Sequence, residues 1–160
     1  MSRYFIAVEI PENTKKEIAS FFYPPLKLEV EGGFVDPEKL HITLLFLGSA
    51  EIRHDLVAFL RTLDFSADLK IRGIGAFPSL DSPRVIYAKV HGNLQDKEKS
   101  LLSFLGMEKR EKFTPHITLC RVKKTIKKID AGKFEGKEFV FRAHVPRLFS
   151  SDLGNYSILS

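Results

Sequence analysis

The chain has 160 residues and a mass of 18.2 kDa, room for one domain with a sizeable core and too little for two independent cores. Hydrophobic residues are 44% and charged residues 28% of the chain, ordinary globular values that exclude long disorder, and no run approaches the ~20 apolar residues of a membrane span. Twenty-five Lys+Arg against twenty Asp+Glu leave a net charge of +5 and a pI near 9.3, a bias toward anionic partners such as phosphates or RNA. The start, MSRYFIAVEI, has neither a separate apolar stretch nor a small-residue cleavage site, so no signal peptide is expected. A single cysteine, Cys120, excludes an internal disulfide and a cysteine-based zinc site. A reduced, cytosolic protein with one domain over residues 1–160 is the expectation.

Residues 3–10, RYFIAVEI, are rich in β-branched and aromatic side chains and predict a buried strand. Pro11 stands where a helix can begin, residues 12–23 carry a helical pattern, and Pro24 and Pro25 should end it. Residues 41–48, HITLLFLG, predict a second strand. Over 51–63 the apolar residues Ile52, Leu56, Phe59, Leu60 and Leu63 recur at helical spacing. Segments 68–74 and 84–91 read as extended, joined by the loop AFPSLDSP, and 94–105 as a helix. Residues 116–122, HITLCRV, predict another strand. The tail holds Phe139, Phe141, Val145, Leu148 and Phe149 in strand-like blocks, then a turn at Gly154 and a last strand, YSIL. This order of strands and helices points to an α+β fold.

The tetrapeptide His-Ile-Thr-Leu occurs twice, at 41–44 and at 116–119, about half the chain apart. On a strand, residues i and i+2 share a face and stand roughly 6–7 Å apart. His41 and Thr43 therefore lie side by side, as do His116 and Thr118, while Ile42, Leu44, Ile117 and Leu119 turn toward a core. A pseudo-two-fold arrangement of the two halves would bring two imidazoles and two hydroxyls into one groove. That set suits phosphodiester chemistry: a neutral imidazole takes a proton from water, a protonated one gives a proton to the leaving oxygen, and hydroxyls hold the phosphate oxygens.

Other chemistries lack their residues. No HExxH, His-x₃-His or cysteine pair is present, and no carboxylate stands at ligand spacing from His41 and His116, so no metal is expected. Cys120 falls on the strand face of His116 but about 13 Å along it, too far for a Cys–His dyad; it reads as a small packed residue. No Rossmann or P-loop fingerprint appears, so no cofactor is expected. His54, His91 and His144 read as surface or structural residues. Lys123, Lys124, Lys127, Lys128 and Lys133 crowd one segment, which reads first as a solvated face.

These paired motifs, with their flanks RYFIAVEIP, FVDPEKLHITLLFLG, AFPSLDSPRVIYAKV, FTPHITLCR and SSDLGNYSIL, resemble the 2H phosphoesterase superfamily, specifically the RNA 2′,3′-cyclic phosphodiesterases historically labelled 2′-5′ RNA ligases. The resemblance covers nearly the whole chain. It implies a bilobal sandwich of antiparallel sheets with helices on the outer faces and a central cleft. It also implies metal-independent hydrolysis of an RNA 2′,3′-cyclic phosphate to a 2′-phosphomonoester, with His41 and His116 as the catalytic pair and Thr43 and Thr118 on the phosphate. The expected roles are His116 as general base on the water and His41 as general acid to the ribose 3′ oxygen. Arg121 matches a basic residue that closes the second motif and is a phosphate or RNA contact candidate. Phe34 stands where many members have Trp, and Cys120 where a small residue is usual. Phe34 and Phe77 are candidates for stacking on a base, and Lys123 and Lys124 for tracking the backbone of a single-stranded RNA. The expected partner is the 3′ end of such an RNA, the expected state a monomer. The same site admits RNA end-joining by the reverse reaction, a small-molecule cyclic phosphate as substrate, or binding of single-stranded RNA without turnover.

Overall fold

The computed structural model describes residues 3–49, 51–63, 68–108, 112–152 and 155–159; the expected turn at Gly154 lies outside them. Nine strands and three α-helices are described. In chain order they are β1 (Arg3–Glu9), α1 (Glu12–Glu29), β2 (Val30–Phe34), β3 (His41–Gly48), α2 (Leu56–Leu60), β4 (Asp68–Ser79), β5 (Ser82–His91), α3 (Gln95–Leu105), β6 (His116–Thr125), β7 (Phe139–Arg142), β8 (Arg147–Asp152) and β9 (Asn155–Ile158). Two antiparallel sheets result, β3-β1-β8-β9 and β2-β6-β5-β4-β7. One apolar core runs across both, with Ile6, Val8, Ile42 and Leu44 from the first sheet and Ile71, Ile86, Ile117 and Leu119 from the second. Among the described residues no helix is long and apolar enough to cross a membrane.

The expected stop at Pro24 and Pro25 is corrected: α1 runs through both prolines to Glu29. A proline inside a helix removes a hydrogen bond and clashes with the preceding turn, at about 3 kcal/mol. Against this, Ile18, Phe22 and Leu26 recur every four residues and are fully buried, each contributing about 1.5–3 kcal/mol. The helix end is also tied down. Glu29 is wholly buried; its carboxylate accepts a hydrogen bond from Asp130 N at 2.7 Å, and its carbonyl accepts from Ile126 N at 2.8 Å.

The other boundaries move for similar reasons. The helix expected over 51–63 shrinks to Leu56–Leu60. Ahead of it, Arg53 clamps both carboxylate oxygens of Asp55, at 3.1 and 2.8 Å, and donates to the Phe104 carbonyl at 2.6 Å. The loop expected between β4 and β5 is mostly paired, with Phe77 opposite Val85 and Ser79 opposite Ser82. Strand β2 has no counterpart among the expected elements. It pairs with β6 at Gly32–Val122 and Gly33–Arg121, a short polar strand with no apolar alternation to announce it.

Gly32 permits that pairing. A Cβ there would collide with the Arg121 carbonyl oxygen and stand 3.0 Å from the Cys120 sulfur. Gly32→Ala should therefore force β2 and β6 apart and lower stability by about 1–3 kcal/mol, measurable as a lower urea midpoint.

Candidate active site

Each His-x-Thr strand carries the same irregularity. Opposite β1, Ala7 pairs with Thr43 and Ile6 with Leu45, so Leu44 is an extra residue. Opposite β5, Tyr87 pairs with Thr118 and Ile86 with Cys120, so Leu119 is the extra one. A bulge of this kind shifts the residues beyond it to the other face. The residue two past each bulged leucine, Phe46 or Arg121, thus rejoins the face of the histidine and threonine. The expected placement of Cys120 on the strand face of His116 is corrected by the same bulge. Cys120 is fully buried in the core, and burial pushes its thiol pKa up to about 11.

The two motifs meet. His41, Thr43, His116 and Thr118 line one cavity of about 410 Å³, together with Arg121, Arg3 and Lys39. The imidazoles are held alike. His41 Nδ1 lies 2.8 Å from the carbonyl of Lys39, and His116 Nδ1 lies 2.7 Å from the carbonyl of Thr114. A carbonyl only accepts, so Nδ1 carries the hydrogen in both rings and Nε2 is left for chemistry. Aromatic rings wall each one. His41 packs against Phe5 at 5.0 Å and the edge of Tyr156 at 5.3 Å. His116 packs against Phe77 at 5.1 Å and Tyr87 at 5.2 Å. Gly75 makes room for the second wall, since a Cβ there would run into the Tyr87 ring.

The electrostatics are less symmetric. Burial holds the His41 pKa below the ordinary 6.5, opposed by its bond to the Lys39 carbonyl and reinforced by electrostatic interaction with His116 and Lys15. Lys15 is itself buried on α1, where Nζ donates to the Glu38 carbonyl at 2.9 Å and to Glu12 at 3.2 Å. Among the described residues no cluster of three or more His, Cys, Asp or Glu forms a possible metal site.

Not every candidate reaches the cavity. Phe77 lines an adjoining one. Phe34 is not among the cavity residues; its ring packs edge-on against Tyr23 at 5.1 Å with Lys27 Nζ 5.4 Å above it, and Val35 lines the cavity instead. Lys123 and Lys124 stand exposed further along β6, outside the cavity. His54, His91 and His144 are exposed and away from it. Sequence reasoning did not single out Arg3, Lys39, Phe46 or Tyr156. Arg3 carried a usable signal, because on β1 it shares the face of Phe5.

Residues 8–87 match the LigT like Phosphoesterase family. The chain belongs to that family. It is 35% identical over 155 residues to an RNA 2′,3′-cyclic phosphodiesterase of Methanocaldococcus jannaschii, covering 84% of this chain and 87% of the relative. It is 33% identical over 132 residues to one of Thermotoga maritima, covering 76% and 70%. Among solved structures, one from Thermus thermophilus superposes with a TM-score of 0.70 at 26% identity, over 99% of this chain and 95% of the other. E. coli LigT complexed with 3′-AMP shares the fold, with a TM-score of 0.69 at 22% identity over 99% and 95%. The LigT-like fold and the two antiparallel sheets agree with the α+β architecture expected from the order of elements and from the resemblance.

The aromatic wall should be what holds His41 down. Its imidazole should titrate below 6.5 in an NMR pH series, and Tyr156→Ala, by admitting water, should move it upward.

Proposed function

We propose that the protein opens the 2′,3′-cyclic phosphate at the 3′ end of single-stranded RNA to a 2′-phosphomonoester, without a metal, using His41 and His116. The observation that carries this reading is the composition of the 410 Å³ cavity. It holds two imidazoles anchored through Nδ1, the two motif threonines and three cations, and none of the described residues lining it is acidic. Such a wall attracts a phosphodiester anion and supplies donors to its oxygens. The activity named for the relatives supports the choice of substrate. Both motifs come from one chain, which supports a monomer as the acting unit.

In the proposed reaction water attacks the phosphorus in line with the ribose 3′ oxygen. His116 Nε2 takes the proton of the water as the new P–O bond forms. The P–O3′ bond breaks, and His41 Nε2–H protonates the departing 3′ oxygen, leaving the phosphate on the 2′ oxygen. Thr43, Thr118 and Arg121 donate to the non-bridging oxygens, where charge builds. The acid role requires His41 to be protonated with substrate bound, although burial lowers its pKa in the free cleft. The bound phosphate supplies the reversal. The same desolvation that disfavours a lone imidazolium strengthens its attraction to an adjacent anion. Lys123 and Lys124, beyond the cavity on β6, reach only an RNA that extends past its terminal nucleotide.

The experiment is hydrolysis of a short RNA ending in a 2′,3′-cyclic phosphate, in EDTA, with the product isomers resolved. Wild type should release a 2′-phosphate, and His41→Ala and His116→Ala should each lose about 10²-fold or more in kcat. Full-rate turnover by either variant would sink the paired-histidine mechanism. Joined product in the presence of a 5′-hydroxyl RNA would show that a second RNA competes with water; RNA binding without turnover would leave a binding module. A second check follows from the reversal argument: 2′-AMP should raise the His41 pKa above its free-protein value in the same NMR titration.

A further inference from the structure

Among the described residues Lys15 is the one buried cation, and the reaction proposed above makes no use of it. Taking an ammonium out of water is costly, and an apolar side chain of like volume would pack at least as well. Its ion pair does not explain the burial, because Glu12, 3.2 Å away, is exposed and a pair of that kind contributes little. The other bond of Lys15 Nζ goes to the Glu38 carbonyl, at 2.9 Å.

Glu38 lies in a short 3₁₀ turn, Pro37–Lys39, none of whose residues is buried. Hydrogen bonds rather than packing therefore fix the turn between Val35 and the buried Leu40, and α1 is the element chiefly packed on it. Two side chains of α1 hold the segment. The Tyr23 hydroxyl donates to the Val35 carbonyl at 2.6 Å, ahead of the turn, and Lys15 donates to the Glu38 carbonyl inside it. The peptide joining Glu38 to Lys39 is held on both sides, since its N–H donates to the Asp36 carbonyl at 2.8 Å. The next carbonyl along, that of Lys39, is the one facing His41 Nδ1 at 2.8 Å. A bond from a charged donor is roughly twice as strong as one from a neutral donor, which suits an anchor for a turn that buries nothing. The ammonium is also close enough to help lower the His41 pKa.

We propose that Lys15 is a positioning residue: by holding the Glu38 carbonyl it fixes the turn whose Lys39 carbonyl sets the tautomer and direction of the His41 ring. Its effect on turnover rests on the cyclic-phosphodiesterase reading above; its effect on the imidazole does not.

The test is the nitrogen-15 NMR signature of both imidazoles in their neutral form, with kcat and KM on an RNA 2′,3′-cyclic phosphate measured beside it. The His41 pKa is a poor readout, because losing the charge raises it and losing the Lys39 bond lowers it. In wild type both rings should carry the hydrogen on Nδ1. Lys15→Met should fold, since it removes a buried charge and leaves Glu12 in water. It should let the Nε2–H tautomer of His41 appear and leave His116 unchanged. Its kcat should fall about 10- to 100-fold at an unchanged KM, up to the cost of an ångström of misplacement. Lys15→Arg should restore both signature and rate. Lys15→Gln, which ends one bond short of the carbonyl, should behave as Lys15→Met and serves where that variant does not fold. Glu12→Gln should resemble wild type. An unaltered His41 signature in the Met and Gln variants overturns the proposal, as does an altered one at full kcat. The same change in Glu12→Gln also overturns it, by assigning the effect to the ion pair. If wild type hydrolyses nothing, the cyclic-phosphodiesterase reading has failed, and the imidazole signature alone decides whether Lys15 sets the ring.

Discussion

One extra residue after each motif threonine determines what the cleft can present. In a regular strand the side chain three positions past His-x-Thr would turn into the core with the isoleucine and leucine. The bulges at Leu44 and Leu119 cancel that alternation. They sink Leu119 and Cys120 together into the core and return Phe46 and Arg121 to the cavity. Because β1 and β5 oppose the two motif strands in matching register, the two halves form one pseudo-symmetric site. The equivalent hydrogen bonds from Nδ1 to the carbonyl two residues back add to that likeness.

Symmetry of backbone does not carry over to electrostatics. Lys15, delivered by α1, and the desolvating wall of Phe5 and Tyr156 act on His41. The opposing lobe packs Phe77 and Tyr87 on His116, with Gly75 making the space. Two imidazoles anchored alike through Nδ1 are thereby given different surroundings. The adjoining cavity extends the asymmetry, since Glu98 and Glu108 line it whereas Arg3, Lys39 and Arg121 line the cavity of the histidines.

Much of this was legible beforehand because it rests on local pattern. The apolar runs at β1, β3 and β6 announce strands, and the repeated tetrapeptide marks the four polar groups that meet. Reading failed where a distant partner outweighs local preference. The prolines of α1 are overruled by an apolar stripe that continues past them and by Glu29 bonding to Asp130, far along the chain. Strand β2 exists because β6 lies beside Gly32 and Gly33. Phe34 follows the same rule: its ring turns toward Tyr23 on α1, leaving Val35 for the cleft.

The sequence by itself determined the strand faces and the paired His-x-Thr groups, and with them the class of chemistry. Those features depend only on the two-residue period of a strand and on the side chains it exposes. Tertiary structure decided which cations and rings surround those groups, where the bulges fall and how far burial shifts His41. Each of these comes from segments remote in the chain, and their proximity is a property of sheet register and helix packing that no local pattern encodes.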